Sequence, residues 1–244
     1  MHRRRGLGVG AGLADGWKER PSVWSIAAAG PVRLVFGETA MTDDQAPPWF
    51  VAVGASGAEG LRDVASLLLA LAPPIRAVVL VVLHRAWAAP SNLRAILARG
   101  CPHPVLVARA GVRFEPGAVY IGEPAQHLRL AADTLGVPVD DPGQLHKGHT
   151  IDLLFRSVAR HGHGRMIGVV LSGSLDDGTR GLAAIHEAGG LTMVLTPDLL
   201  PRRGMPEHAL ADPGLVDMVG SPQAIAAAIA AAIAVPVAGI IGEG

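Results

Sequence analysis

The most constraining feature of this sequence is a set of short runs that are apolar almost throughout. Ala77–Leu83 reads AVVLVVL, and further strand candidates fall at Phe50–Val53, Val105–Ala108, Ile167–Leu171, Thr192–Leu195 and Leu215–Met218. A strand wetted on one face alternates polar and apolar residues; one that is apolar throughout has to be covered on both faces. Helical stretches at Gly60–Leu71, Ser91–Ala98, Ile151–His161, Gly178–Ala188 and Pro222–Ala234 separate the runs. Strand–helix alternation with short links predicts an α/β fold, a doubly wound and mainly parallel sheet flanked by helices. Between Val112 and Leu130 the runs VRF, AVYIG and HLRL are broken by EPG and EPAQ, which predicts a small antiparallel hairpin.

The chain has 244 residues, half of them apolar, enough for one core with a tail. The pattern starts at Trp49, so residues 1–48 read as a disordered or loosely packed leader, 49–235 as one patterned domain and 236–244 as a tail. Met41 would serve as an alternative chain start. The formal net charge is zero, which excludes an electrostatic pull toward nucleic acid or an acidic membrane. A single cysteine, Cys101, rules out an internal disulfide framework and suits the cytoplasm; in RGCPHPV, beside His103, it reads as a packed thiol and not a nucleophile. Two segments imitate membrane signals. The basic N-terminus is glycine-rich and soon meets Asp15, Lys18, Glu19 and Arg20, unlike a secretory signal. The uncharged alanine-rich C-terminal stretch repeats Ile225, Ile229 and Ile233 every four residues, one ridge of a helix packed on a sheet, so no membrane insertion is expected.

In an open parallel sheet, ligands bind outside the carboxyl ends of the strands. At those ends stand Ser56 in VAVGASGAEG, His84 after AVVLVVL, and Asp176 and Asp177 after MIGVVLSGSL. A serine hydroxyl needs an adjacent base, and a histidine serves if a carboxylate fixes its tautomer. Each residue also has a plainer role open to it: Ser56 as a helix cap, His84 as a hydrogen-bonded histidine at a strand end, the aspartates as partners of a helix N-terminus. Their joint placement at one sheet edge is what suggests a triad.

Competing readings of the glycine-rich loop fare worse. Gly54, Gly57 and Gly60 give G-x-x-G-x-x-G and not the dinucleotide fingerprint, and His84-Arg85 stands where that fold wants an acidic ribose ligand. No Walker A motif occurs. Ala58 stands two after Ser56, so the G-x-S-x-G elbow is absent too. The pairs His146/His149 and His161/His163 lack companions at metal-ligand spacing, so they read as solvated loop histidines and not as a metal site.

VAVGASGAEGL, VVLVVLHRAW, FEPGAVYIGEPAQHLRL, the stretch from TIDLLF to HEAGG, and RGMPEHAL occur in an order that resembles the catalytic domain of the bacterial chemotaxis protein-glutamate methylesterases. The resemblance runs from about Phe50 to about Ala234. It implies the doubly wound fold, no metal or organic cofactor, and hydrolysis of γ-glutamyl methyl esters on chemoreceptor signalling helices, with deamidation of receptor glutamines in some members. It further implies Ser56 as nucleophile, His84 as base, Asp177 as orienting carboxylate, and the N–H groups of Gly57 and Ser174 as oxyanion donors. Gly57, Leu83, Arg85 and Ser174-Leu175 depart from the usual family pattern and bear on substrate preference. Family members commonly carry a phospho-acceptor receiver domain, for which 48 leading residues are too few; a stand-alone domain, with any control from a separate partner, is the expectation. A different carboxyl-ester hydrolase, or a non-catalytic binding domain of a sensory pathway, stays open as the alternative.

Overall fold

A computed structural model describes residues 47–85, 91–124, 126–141, 148–174, 176–197 and 204–234. The leader read at 1–48, save Pro47 and Pro48, the tail at 236–244, and His146 lie outside these residues. In chain order the elements begin with β1 (Trp49–Ser56), α1 (Gly57–Ala70), β2 (Ala77–His84), α2 (Leu93–Ala98), β3 (Val105–Val107) and β4 (Val119–Ile121). Then come β5 (Gln126–Leu130), β6 (Gly136–Asp140), α3 (Thr150–His161), β7 (Met166–Val170) and α4 (Thr179–Glu187). The series closes with β8 (Leu191–Leu195), α5 (Met205–Leu210), β9 (Met218–Gly220) and α6 (Pro222–Ala234).

Seven strands form one sheet in the order β3-β4-β2-β1-β7-β8-β9, every neighbouring pair parallel. The chain leaves β1 toward β2 on one side and β7 toward β8 on the other, so the switch point lies beside the carboxyl end of β1, where doubly wound sheets bind ligands.

The apolar strands are buried on both faces, as their composition demands. Val51, Val53 and Ala55 of β1 join Leu67 and Leu68 of α1 and Ile225 and Ile229 of α6 in one core. Phe50 and Ala52 join Ile151, Leu154, Phe155 and Val158 of α3 and Leu182 and Ile185 of α4 in the other. Those four α3 residues follow the i, i+3, i+4, i+7 spacing of one helix face, and each fully buried side chain of this kind contributes about 1.5–3 kcal/mol. Helix α3 rides low over the sheet because position 54 is glycine: a Cβ there would run into the Ile151 side chain. The isoleucine ridge of α6 packs inward as the four-residue repeat requires, and among the described residues no helix is long and apolar enough to cross a membrane.

The structure departs from the sequence-based expectation in three places. Val119–Ile121 is a strand of the main sheet, and the antiparallel hairpin is formed later, by β5 and β6. The last strand starts at Met218 and not Leu215, because the approach to it is anchored by side chains: Thr192 Oγ1 donates to the Leu215 carbonyl (2.6 Å) and the Asp217 carboxylate accepts the Thr192 N–H (2.8 Å). Helix α5 was not expected at all; Pro206 fits its first turn, and the Glu207 carboxylate accepts the Gly204 N–H at 2.8 Å.

Candidate active site

Parallel pairing of β1 with β2 sets Ser56 directly beside His84. Side chains alternate along a strand, so Ser56 follows Phe50 and Ala52, and His84 follows Val78 and Leu80, onto the face covered by α3. Adjacent strands lie about 4.8 Å apart, which makes the two residues neighbours.

Ser56 is the last residue of β1, and its N–H donates to the Ser172 carbonyl just beyond β7 (2.9 Å). The close approach depends on Gly173, where a Cβ would crowd the Ser56 Cβ at 2.8 Å. Ser56 occupies the N-cap position of α1, yet its side chain makes no capping hydrogen bond. Gly57 follows with φ +72° in open space. That left-handed turn costs a non-glycine residue free energy, which gives a physical reason for glycine at this position.

His84 Nε2 lies 2.9 Å from Asp177 Oδ2, the carboxylate side chain fully buried and the imidazole 19% exposed. Of the two adjacent aspartates, Asp176 is exposed. The Asp177 carboxylate in turn accepts the Ile151 N–H at Oδ2 and the Asp152 N–H at Oδ1, both at 2.9 Å. These are free donors of the first turn of α3, where the helix dipole favours negative charge. Gly178, at φ +98°, makes the turn from Asp177 into α4. The structure therefore joins His84 to Asp177 and sets Ser56 beside His84; among the described residues no hydrogen bond occupies the Ser56 hydroxyl.

Thr150 was not identified from the sequence. Its Oγ1 lies 2.7 Å from the same His84 Nε2. The available signal was a polar–apolar–polar opening, Thr150-Ile151-Asp152, to a helix whose next residues are apolar. A second unforeseen pair is His127 with Asp141, 2.9 Å apart and both buried.

Ser56, Gly57, His84, Arg85, Glu123 and Thr150 line a cavity of about 340 Å³. Arg85 donates to the Gly122 carbonyl (2.7 Å) and the Leu83 carbonyl (3.3 Å), tying the loop after β4 to the end of β2. Burial lowers the pKa of its guanidinium from the ordinary value, against the pull of Glu123. Gly57 begins α1, and Ser174 is exposed and bridged to Gly204.

His149, Asp152 and Asp177 offer ligand atoms within 4.8 Å of one another. Both carboxylates, however, face backbone N–H groups: Asp177 accepts two, and Asp152 Oδ1 accepts the N–H groups of Gly178 (3.1 Å) and Gly181 (2.7 Å). Two helix N-termini converge there, a field that favours anions and opposes a cation. Elsewhere, burial pushes the Cys101 thiol up, away from the thiolate a nucleophile needs, and His103 is buried against the Leu71 carbonyl (3.0 Å).

Residues 51–229 match the family model described as CheB methylesterase. A relative from Bordetella avium named protein-glutamate methylesterase/protein-glutamine glutaminase 1 is 35% identical over 173 residues, covering 71% of this chain and 50% of the relative. One from Cupriavidus metallidurans, named protein-glutamate methylesterase/protein-glutamine glutaminase 2, is 36% identical over 170 residues, 70% of this chain and 50% of its own. This chain thus spans about half the length of the curated relatives it matches. The crystal structure of the Thermotoga maritima CheB methylesterase catalytic domain superposes with a TM-score of 0.66 at 23% identity, covering 75% of this chain and 98% of that one, which establishes a shared fold. With a family model matched across most of the chain and the fold in agreement, the chain belongs to the CheB methylesterase family.

Proposed function

We propose that this chain is a serine hydrolase that cleaves γ-glutamyl methyl esters on chemoreceptor signalling helices, in the cytoplasm, through Ser56, His84 and Asp177. The observation that carries the reading is the buried Asp177 carboxylate on His84 Nε2, with Ser56 paired beside that histidine at the wall of the cavity. Because the carboxylate sits at Nε2, that nitrogen keeps the proton and Nδ1 presents the lone pair. Nδ1 is thus the base that removes the Ser56 proton as Oγ attacks the ester carbonyl. The Gly57 N–H, free at the start of α1, and the Ser174 N–H are the proposed oxyanion donors. The imidazolium then protonates the leaving methoxide, methanol departs, and water activated by the same nitrogen cleaves the acyl-enzyme to glutamate. Protein groups and water carry every step, without metal or cofactor.

The relatives' names also include protein-glutamine glutaminase. The same acyl-enzyme route, with ammonia leaving in place of methanol, accounts for that second activity on receptor glutamines. The catalytic domain is taken as 49–235. The arginine at the cavity wall, Arg85, bears on which ester is accepted, so a different carboxyl ester as preferred substrate is the second reading. A separate regulatory partner is proposed for control of the site.

The test is methanol release from methyl-esterified receptor signalling helices. Wild type is expected to release it, with Ser56→Ala and His84→Ala reduced by at least a thousandfold, in the range of triad deletions. Full activity in either variant rejects the assignment; wild-type turnover of small esters alone favours the second reading.

A further inference from the structure

We propose that Asp152 is a positioning residue for the triad, clamping the loop that carries Asp177 and thereby setting how Asp177 meets His84. The proposal rests on the reading of Ser56, His84 and Asp177 as a triad and adds a residue that does not touch substrate.

The geometry is reciprocal. Asp177, ahead of α4, accepts the N–H groups of Ile151 and Asp152 in the first turn of α3. Asp152, in that turn, accepts through Oδ1 the N–H groups of Gly178 and Gly181, at the start of α4. Each carboxylate serves the other's helix, and both are buried. Gly178 directly follows Asp177, so the Asp152 bond fixes the backbone of the residue next to the triad carboxylate. The helices can come this close only because position 181 is glycine: a Cβ there would stand 2.5 Å from the Phe155 Cβ and 3.0 Å from the Asp152 Cα.

One carboxylate clamping two donors next to another carboxylate is costly. Burial pushes the Asp152 carboxyl up, the Gly181 and Gly178 bonds oppose this, the Asp177 charge adds to it, and Arg156 on the same helix offsets part. Among the described residues His149 also brings a titratable atom within 4.8 Å of both carboxylates, and His84 bonds Asp177 on its other side. A cap serving only fold stability would not need a second buried carboxylate beside the triad's own, tied to the residue that follows it.

The experiment follows Ser56 phosphonylation by a fluorophosphonate in the whole chain: Ser56 Oγ bonds to phosphorus, fluoride leaves, and His84 takes the hydroxyl proton. The second-order rate is followed by intact-protein mass, with thermal melts establishing that each variant is folded. Asp152→Ala, lacking both acceptor bonds, is expected to react at least tenfold more slowly, approaching Asp177→Ala. Asp152→Asn keeps an Oδ1 acceptor and is expected to recover most of that loss.

A folded Asp152→Ala that reacts at the wild-type rate overturns the proposal, as does an Asp152→Asn that reacts as slowly as Asp152→Ala. If Asp152→Ala does not fold, Asp152→Leu, close in size and without an acceptor, takes its place in the comparison. Failure of wild type to label at Ser56 rejects the nucleophile assignment itself, a different result from labelling that ignores Asp152.

Discussion

Ser56 stands where a helix cap stands, but its hydroxyl is not used as one. The glycines around it do different jobs. Gly173 admits the loop after β7 against Ser56, Gly54 admits Ile151 of α3, and a Cβ at Gly60 would press on the Ser172 carbonyl at 2.6 Å. Gly57 is required by conformation and not by space, since nothing lies within 4 Å of its missing Cβ while φ is +72°. Gly57→Ala is therefore expected to cost about 1–2 kcal/mol, the left-handed penalty of an L side chain, read as a lower urea midpoint with unchanged slope. An unchanged midpoint would mean that this turn relaxes readily. Position after a strand, the place where parallel sheets collect ligands, pointed to Ser56, His84 and the pair Asp176 and Asp177, and only the family resemblance chose Asp177. Thr150 and Asp152 were not legible that way: they open a helix distant in sequence, and only the packing of α3 over Gly54 delivers them to the site.

At the scale of elements, the site is where two helix N-termini exchange carboxylates. This arrangement has a pH signature. Burial, first, and the Asp177 charge, after the N–H bonds that oppose it, leave the folded pKa of Asp152 above its unfolded value. The fold then prefers the protonated form. Stability attributable to Asp152 is full below the ordinary carboxylate range, near about 4, and is lost as pH rises through the folded value. Asp152→Asn removes this dependence. The melting temperature of the variant minus that of wild type is expected to grow as pH is raised from about 4 to about 7, and a difference that shrinks over that interval would contradict the sign. The elements themselves were unevenly legible. Long apolar runs such as Ala77–Leu83 announce themselves. Val119–Ile121 is only three residues long between turn sequences, β6 carries Pro138, which cannot donate to a ladder, and α5 is short with Pro206 in its first turn.

For the described chain as a whole, the doubly wound order supplies the chemistry its address. Ser56 and His84 end adjacent strands, and the loop after β7 closes on them from the other side of the switch point. The same sheet buries both faces, so the site's three strands are held by two cores at once. Apolar strands alternating with helices made this architecture readable before any coordinate, because few other folds bury such strands. The hydrogen-bond detail was not readable, since it depends on which end of α3 meets which loop. The central claim is that His84, held by Asp177, makes the Ser56 hydroxyl a nucleophile. Mapping the fluorophosphonate adduct by peptide mass tests it most directly. The adduct is expected to be stoichiometric on Ser56 in wild type and lost in His84→Ala and Asp177→Ala. An adduct on another residue, or on Ser56 at the same rate without His84, would contradict it.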